Sequence, residues 1–118
     1  MITGSLLSVD NQTCLIPNVR KTTNFLERMQ GLLFKPPLQK DEALLISPCN
    51  SVHMFGMTYP IDLIFIDKNW FVLKLVNCLK PWQISSCNKA KMVMELAANS
   101  LEIIPIKTGQ QLEWVNER

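Results

Sequence analysis

The 118-residue sequence contains a single histidine, and its 12 lysines and arginines exceed its 10 aspartates and glutamates by only two. Because this surplus is small, net charge gives no argument for a nucleic-acid or anionic-membrane partner. No apolar stretch approaches the roughly 20 residues that a membrane-spanning helix needs, since charged, polar or proline residues interrupt every run. We therefore expect neither nucleic-acid binding nor a membrane span.

The four cysteines form no C-x-x-C pair, which excludes a zinc ribbon and a thioredoxin-type redox motif. The first ten residues lack the basic leader and apolar core of a signal peptide. Both features favour free thiols in a reducing cytoplasm. We therefore expect a cytoplasmic protein that holds no cofactor.

Cys49 and His53 are close in sequence and are both ligand types for transition metals. Because a site needs three or four ligands and no second close pair exists, we predict no metal site. The same two residues also raise the hypothesis of a Cys49 nucleophile activated by His53. That role requires an electropositive, partly exposed pocket.

A chain of this length with 47% hydrophobic residues is long enough to bury one core, so we expect a single domain over residues 1–118. In the segment 91–96, Met92, Met94 and Leu96 share one side, so Glu95 points the opposite way, beside Val93. Apolar runs and alternating patterns predict strands at residues 5–9, 13–19, 43–47, 61–67, 71–76, 91–96, 101–106 and 111–115.

Residues 24–31 carry the signals of one short helix. Asn24 is a capping residue, Glu27 follows three positions later, and Gly31 suits a left-handed stop. The apolar side chains recur at near-helical spacing, which predicts that one side of this helix packs on a sheet. The whole pattern predicts a mostly β (α+β) fold: a compact, antiparallel β-barrel-like domain with one or two short helices.

The segment 51–67 places His53 and Asp62 inside an otherwise apolar run. Buried polar groups need partners, so both residues belong either to a structural network or to a catalytic pair in which the carboxylate orients the imidazole. In one hairpin register His53 lies opposite Phe65 and shares a face with Asp67. A slip of one residue brings it to the face of Asp62.

Arg28, near the end of the predicted helix, is a further candidate ligand-binding residue. Its guanidinium fits a carboxylate bidentately, and Asp62 and Glu95 are the attractive partners for a buried brace. The alternative is an anion site formed by Arg28 and His53.

The sequence contains several short blocks in this order: Glu27-Arg28-x-x-Gly31-Leu-Leu-Phe34, Ala43-Leu-Leu-Ile46, His53-x-x-Gly-Met57, Pro60-Ile-Asp62-x-x-Phe65-x-Asp67 and Val93-x-Glu95-Leu96, with Gly109. This order resembles the bacterial and archaeal domain of unknown function 192 family, over about residues 13–114. The resemblance implies a compact β-rich fold and supplies no agreed activity. The sequence departs from the family pattern at Lys68-Asn69, Ala98-Asn99 and Gln110; asparagine tolerates the positive φ of the glycine turns.

These observations favour a small module that binds a small molecule or a protein partner and performs no chemistry of its own. The alternative is a hydrolase-like enzyme with a pocket of His53, Asp62 and Arg28, and with Cys49 as a remote nucleophile candidate. A third possibility is an interaction protein with an exposed apolar patch around Trp82, which is also a candidate ligand-binding aromatic residue.

Overall fold

The computed structural model describes residues 1–117, which contain one short helix, one 3-10 turn and nine strands. The predicted mostly β class is confirmed. No helix in this part of the chain is long and apolar enough to cross a membrane. The strands are β1 Ile2–Ser8, β2 Cys14–Lys21, β3 Glu42–Ile46, β4 Ser51–His53, β5 Ile61–Ile66, β6 Val72–Leu79, β7 Ile84–Ser86, β8 Met92–Ala97 and β9 Leu112–Asn116; the helix is α1 Phe25–Gln30 and the 3-10 turn is Ser100–Glu102.

Seven strands form one sheet in the order β6-β5-β8-β3-β2-β1-β9, and β4 pairs separately with β7. Neighbours in the large sheet are antiparallel except β2 and β3, which run parallel. The sheet curls until its two edge strands meet at their starts, where the Leu112 N–H donates to the Trp70 carbonyl at 2.8 Å. The result is a half-barrel.

The large sheet carries apolar side chains on both faces. β5 is buried along its whole length: Ile64 and Ile66 join a first core together with Met94, whereas Leu63 and Phe65 join a second core on the other face. This confirms the prediction of a central strand covered on both sides, because the side-chain period of a strand divides one apolar run between two cores.

Two parts of the predicted pattern are wrong. Residues 101–106 were expected as a strand, but a 3-10 turn lies at Ser100–Glu102, where the Leu101 N–H bonds the Asp62 carboxylate at 2.9 Å and not a strand neighbour. The hairpin expected within residues 51–67 also does not form, because β4 pairs with β7, a strand inside a stretch without predicted structure. Asn99 adopts a φ of 69°, as expected for the turn at Ala98-Asn99. At the turn that contains Lys68-Asn69, the residue with positive φ is Trp70 and not Asn69.

The end signals of helix α1 are confirmed. The Glu27 N–H donates to the Asn24 side chain at 2.9 Å, and Gly31, at a φ of 51°, donates its N–H to the Glu27 carbonyl. The predicted packing is wrong, since none of the helical residues is buried. Leu26 is 77% exposed and Met29 is 66% exposed, because the helix stands above the second core and only the chain after Gly31 enters it.

Candidate functional site

Asp62 is fully buried, and its carboxylate is hydrogen-bonded by main-chain N–H groups. Its carboxylate accepts N–H bonds from Cys78 at 2.8 Å, Asn99 at 3.1 Å and Leu101 at 2.9 Å. These bonds tie the start of β5 to the irregular part of β6 and to the 3-10 turn. The carboxylate is therefore a structural acceptor, as one of the two sequence hypotheses required.

His53 does not meet Asp62. It lies on β4 with its side chain exposed and stacks on Phe55, with ring centroids 5.8 Å apart. Phe55 in turn lies 5.8 Å from Trp82, which is 68% exposed. The Trp82 N–H donates to the Met54 carbonyl at 2.9 Å, so main-chain pairing holds these rings side by side. We call His53, Phe55 and Trp82 the aromatic row.

Beside the aromatic row lies a cavity of about 330 Å³ beneath helix α1. The lining combines apolar walls with four groups of chemical interest, Arg28, Cys49, His53 and Glu95. The remaining lining residues are Met29, Gln30, Gly31, Leu32, Leu33, Ile46, Ser51, Val52, Met54, Phe55 and Met57.

Glu95 is the buried polar group of this cavity, with 4% of its surface exposed. It pairs with Leu63 of β5, whereas Asp62 pairs with Leu96, so the two carboxylates lie on opposite faces of the sheet. This confirms the predicted orientation of Glu95. Its Oε1 atom accepts no hydrogen bond from any group in residues 1–117. Burial raises the pKa of Glu95 to about 7, although Lys35 partly opposes the rise.

The chain approaches this carboxylate closely at Gly31. A Cβ at Gly31 would lie 3.3 Å from Glu95 Oε1 and 3.6 Å from Ile46 Cδ1. Because of this close approach and the positive φ, glycine is the residue that fits at position 31. Gly31 and Glu95, which belong to separate blocks of the family pattern, therefore meet at one point of the cavity wall.

Arg28 does not form the predicted brace. Within residues 1–117 the one ion pair joins the Met1 amino group to Glu27 at 3.0 Å, and the Arg28 guanidinium lies 5.7 Å from the Phe25 ring centroid. Arg28 and His53 do line the same cavity, as the anion-site hypothesis required. Neither is bonded to Glu95.

Cys49 is half-buried in the cavity wall, and its thiol donates to the Ser51 carbonyl at 3.2 Å. Burial raises the pKa of this thiol above its ordinary value of 9.0, which favours the protonated form and not a nucleophilic thiolate. The described part of the chain contains no group of three or more His, Cys, Asp or Glu side chains placed to hold a metal ion.

The structure thus brings Arg28, Cys49, His53 and Glu95 to one cavity and leaves Asp62 on the other face of the sheet. Trp82 is adjacent through the aromatic row. The cavity and the position of Phe55 between His53 and Trp82 were not predicted from the sequence, because both depend on the β4–β7 pairing. The signal that could have indicated the site is the presence of Gly31 and Glu95 in the family blocks.

Comparison with known proteins supports the resemblance found in the sequence. Residues 7–114 match the DUF192 family model, whose description is that of an uncharacterized ACR. A UPF0127 protein of Pyrococcus furiosus is 32% identical over 102 residues, which cover 81% of this chain and 85% of that protein. A UPF0127 protein of Pyrococcus horikoshii is 33% identical over 102 residues, covering 81% of this chain and 86% of the relative.

Two solved structures share the fold. One is a Sinorhizobium meliloti protein provisionally described as a transcription regulator, with a TM-score of 0.79 and 19% identity over 96% of this chain and 92% of its own. The other is a protein of unknown function from Novosphingobium aromaticivorans, with a TM-score of 0.74 and 18% identity over 95% of this chain and 84% of its own. At this identity the likeness concerns the fold alone.

Proposed function

Because this chain belongs to the DUF192 family, whose description assigns no activity, we propose a function from the cavity itself: the protein binds a small organic molecule beneath helix α1. The observation that carries the proposal is a half-open cavity in which apolar wall residues are combined with several polar side chains. Small-molecule sites combine apolar walls with polar groups that fix the orientation of the ligand.

Part of the wall is apolar and fits an apolar part of a ligand. Val52, Met54 and Ile46 are buried residues of the second core that also face the cavity. A volume of about 330 Å³ lies at the small end of the range for ligand sites, about 300–1,000 Å³. The occupant would therefore be of fragment size, with its polar part meeting Glu95 inside and Arg28 or His53 nearer the surface.

Binding without chemistry is favoured over the hydrolase-like alternative. A pocket of His53, Asp62 and Arg28 would need the carboxylate to orient the imidazole, whereas Asp62 is committed to three main-chain N–H groups. The raised pKa of Cys49 opposes a nucleophilic role. The remaining polar groups are those of a recognition site.

The methionines offer a direct test. Met29, Met54 and Met57 line the cavity, whereas Met92 and Met94 belong to the first core on the other face of the sheet. We would label the methionine methyl groups isotopically and titrate the protein with phenethyl alcohol, a neutral probe of fragment size, while recording NMR spectra. A dissociation constant of about 1 mM is a realistic expectation for such a probe.

The expected result is saturable shifts of the cavity methyl signals, with those of Met92 and Met94 unchanged. Cys49→Phe should fill the cavity and abolish the shifts, whereas the matched Cys14→Phe, at an exposed position of β2, should leave them intact. Equal binding by Cys49→Phe, or no saturable shift of the cavity signals in the unmodified protein, would overturn the proposal.

The proposal includes a compartment and a partner class. The four cysteines form no disulfide within the described residues, which supports a location in the reducing cytoplasm. The small formal charge of +2 gives no electrostatic argument for a nucleic-acid partner, and the cavity is the feature that supports a small molecule. Fractionation of the native cells followed by thiol labelling would test the compartment, since oxidised thiols outside the cytoplasm would contradict it.

A further inference from the structure

We propose that the ligand of this cavity is an organic cation, a small molecule with an apolar body and a protonated amine that pairs with Glu95. This inference rests on the proposed function and names the chemical class that the site would take. It starts from Glu95, a buried residue of the cavity wall whose Oε1 no protein group satisfies. A ligand N–H would supply the missing donor.

An ionised carboxylate in an apolar enclosure is costly unless a cation or several donors meet it. Asp62 shows how this chain satisfies such a group when it serves structure, since three N–H donors lie within 3.1 Å of its oxygens. Glu95 receives no comparable set. The difference between the two buried carboxylates indicates that the partner of Glu95 comes from outside the chain.

No charged group on the neighbouring segments of residues 1–117 takes this role. Arg28 and Lys35 are the protein cations near the site, and neither comes within 4.0 Å of the carboxylate. The positive charge of Lys35 favours the ionised form of Glu95, yet neither cation occupies the position that a ligand nitrogen would take. The groups that face Glu95 or share its cavity are Arg28 of α1, Lys35 and Tyr59 of the adjoining loops, Cys49 before β4 and His53 of β4.

The rim favours cations independently of Glu95. Phe55 lines the cavity and is 51% exposed, and the aromatic row extends from it to Trp82. Aromatic faces attract organic ammonium groups through the ring quadrupole. An amine that enters over these rings would pass from one cation-attracting surface to another.

The test uses three probes that share one shape: phenethylamine as the cation, phenethyl alcohol as the neutral analogue and hydrocinnamate as the anion. Affinities would be read from the methionine methyl signals of the full chain. At about pH 8, where Glu95 is mostly ionised, the amine should bind about tenfold more tightly than the alcohol. The anion should bind most weakly.

Binding of the amine should also depend on pH. Because the pKa of Glu95 is about 7, the ionised fraction rises about tenfold between about pH 6 and pH 8, and the amine affinity should rise with it. Glu95→Gln keeps the side-chain shape and should remove the pH dependence and most of the preference for the amine, leaving only the part that the aromatic rim supplies. Glu113→Gln, the same change at an exposed position of β9, should retain both and is the control.

The outcomes separate this inference from the proposed function. If no probe binds in the cavity, the proposed function fails. If the alcohol binds but the amine has no advantage, or if the anion binds best, the cation assignment fails while the binding proposal stands. An amine preference that is undiminished in Glu95→Gln also overturns the assignment. Unchanged Met92 and Met94 signals would show that the variant remains folded.

Discussion

Replacing Glu95 with glutamine is expected to stabilise the protein at neutral and alkaline pH. The native carboxyl is enclosed between the second core and the chain at Gly31, and its Oε1 lacks a protein partner. Ionisation in this position is unfavourable because burial penalises the charged form. A neutral amide of the same shape avoids that penalty.

The magnitude follows from the change in pKa. Burial raises the pKa of Glu95 from its ordinary value of 4.5 to about 7. At about 1.4 kcal/mol for each tenfold change in the proton equilibrium, this corresponds to about 3 kcal/mol of unfolding free energy. Small domains have a total of only about 5–15 kcal/mol, so the effect should be readily measured.

The direction is set by proton linkage. Between pH 4.5 and about 7, the folded chain holds a proton on Glu95 that the unfolded chain has already released. Stability therefore falls as the pH rises through this window, and it changes little from this cause at higher pH. The lowered pKa of Glu27, about 2, has the opposite effect, but only in a more acidic window that does not overlap.

Urea unfolding of native protein and Glu95→Gln at a series of pH values would measure the difference. The two proteins should be equally stable near pH 4.5 and diverge by up to about 3 kcal/mol by about pH 8, with unchanged m-values. In a Lys35→Met background the divergence should extend to higher pH and become larger, since Lys35 lowers the pKa of Glu95 in the folded chain, whereas a Lys89→Met background should leave it unchanged. Parallel stability curves for native protein and Glu95→Gln would refute the reasoning.

Three further predictions concern the surrounding structure. Asp62→Ala leaves three main-chain N–H groups without their acceptor and should lower the unfolding free energy by about 3 kcal/mol in urea, whereas the exposed Asp41→Ala should change it by less than about 0.5 kcal/mol. Gly31→Ala places a Cβ 3.3 Å from Glu95 Oε1, at a residue whose φ is 51°. It should lower the unfolding free energy by about 1–3 kcal/mol, and an unchanged midpoint of thermal unfolding would contradict this. Tyr59→Phe removes the hydroxyl that donates to the Lys35 carbonyl at 3.0 Å and should lower stability by about 0.5–1.5 kcal/mol, with faster amide exchange in that loop.

Local and periodic features were predictable from the sequence. The helix caps at Asn24 and Gly31 depend on residues three to seven positions apart, and the structure confirms both. The orientation of Glu95 opposite Met94 follows from the alternation of a single strand. Such features are encoded in short segments, where side-chain period and capping chemistry act without reference to the rest of the chain.

The long-range pairings were not predictable in the same way. β4 has three residues and its partner β7 lies more than thirty positions later, so the apolar pattern of either segment says little about which strand it joins. The sequence pattern predicted a hairpin within residues 51–67, and one register of that hairpin placed His53 opposite Phe65. The pairing of β4 with β7 exposes the imidazole of His53 and forms the aromatic row and the cavity. A local hairpin within residues 51–67 would prevent this pairing.

The two buried carboxylates give the strongest argument for where the function lies. Both sit in the large sheet on adjacent strands, and one is satisfied by the main chain while the other retains an oxygen without a protein partner. An unsatisfied buried group lowers stability, and a valine or leucine at this position would extend the second core. Buried polar groups that cost stability are found where a protein binds or reacts. The cavity beside Glu95 has the space for the ligand proposed above.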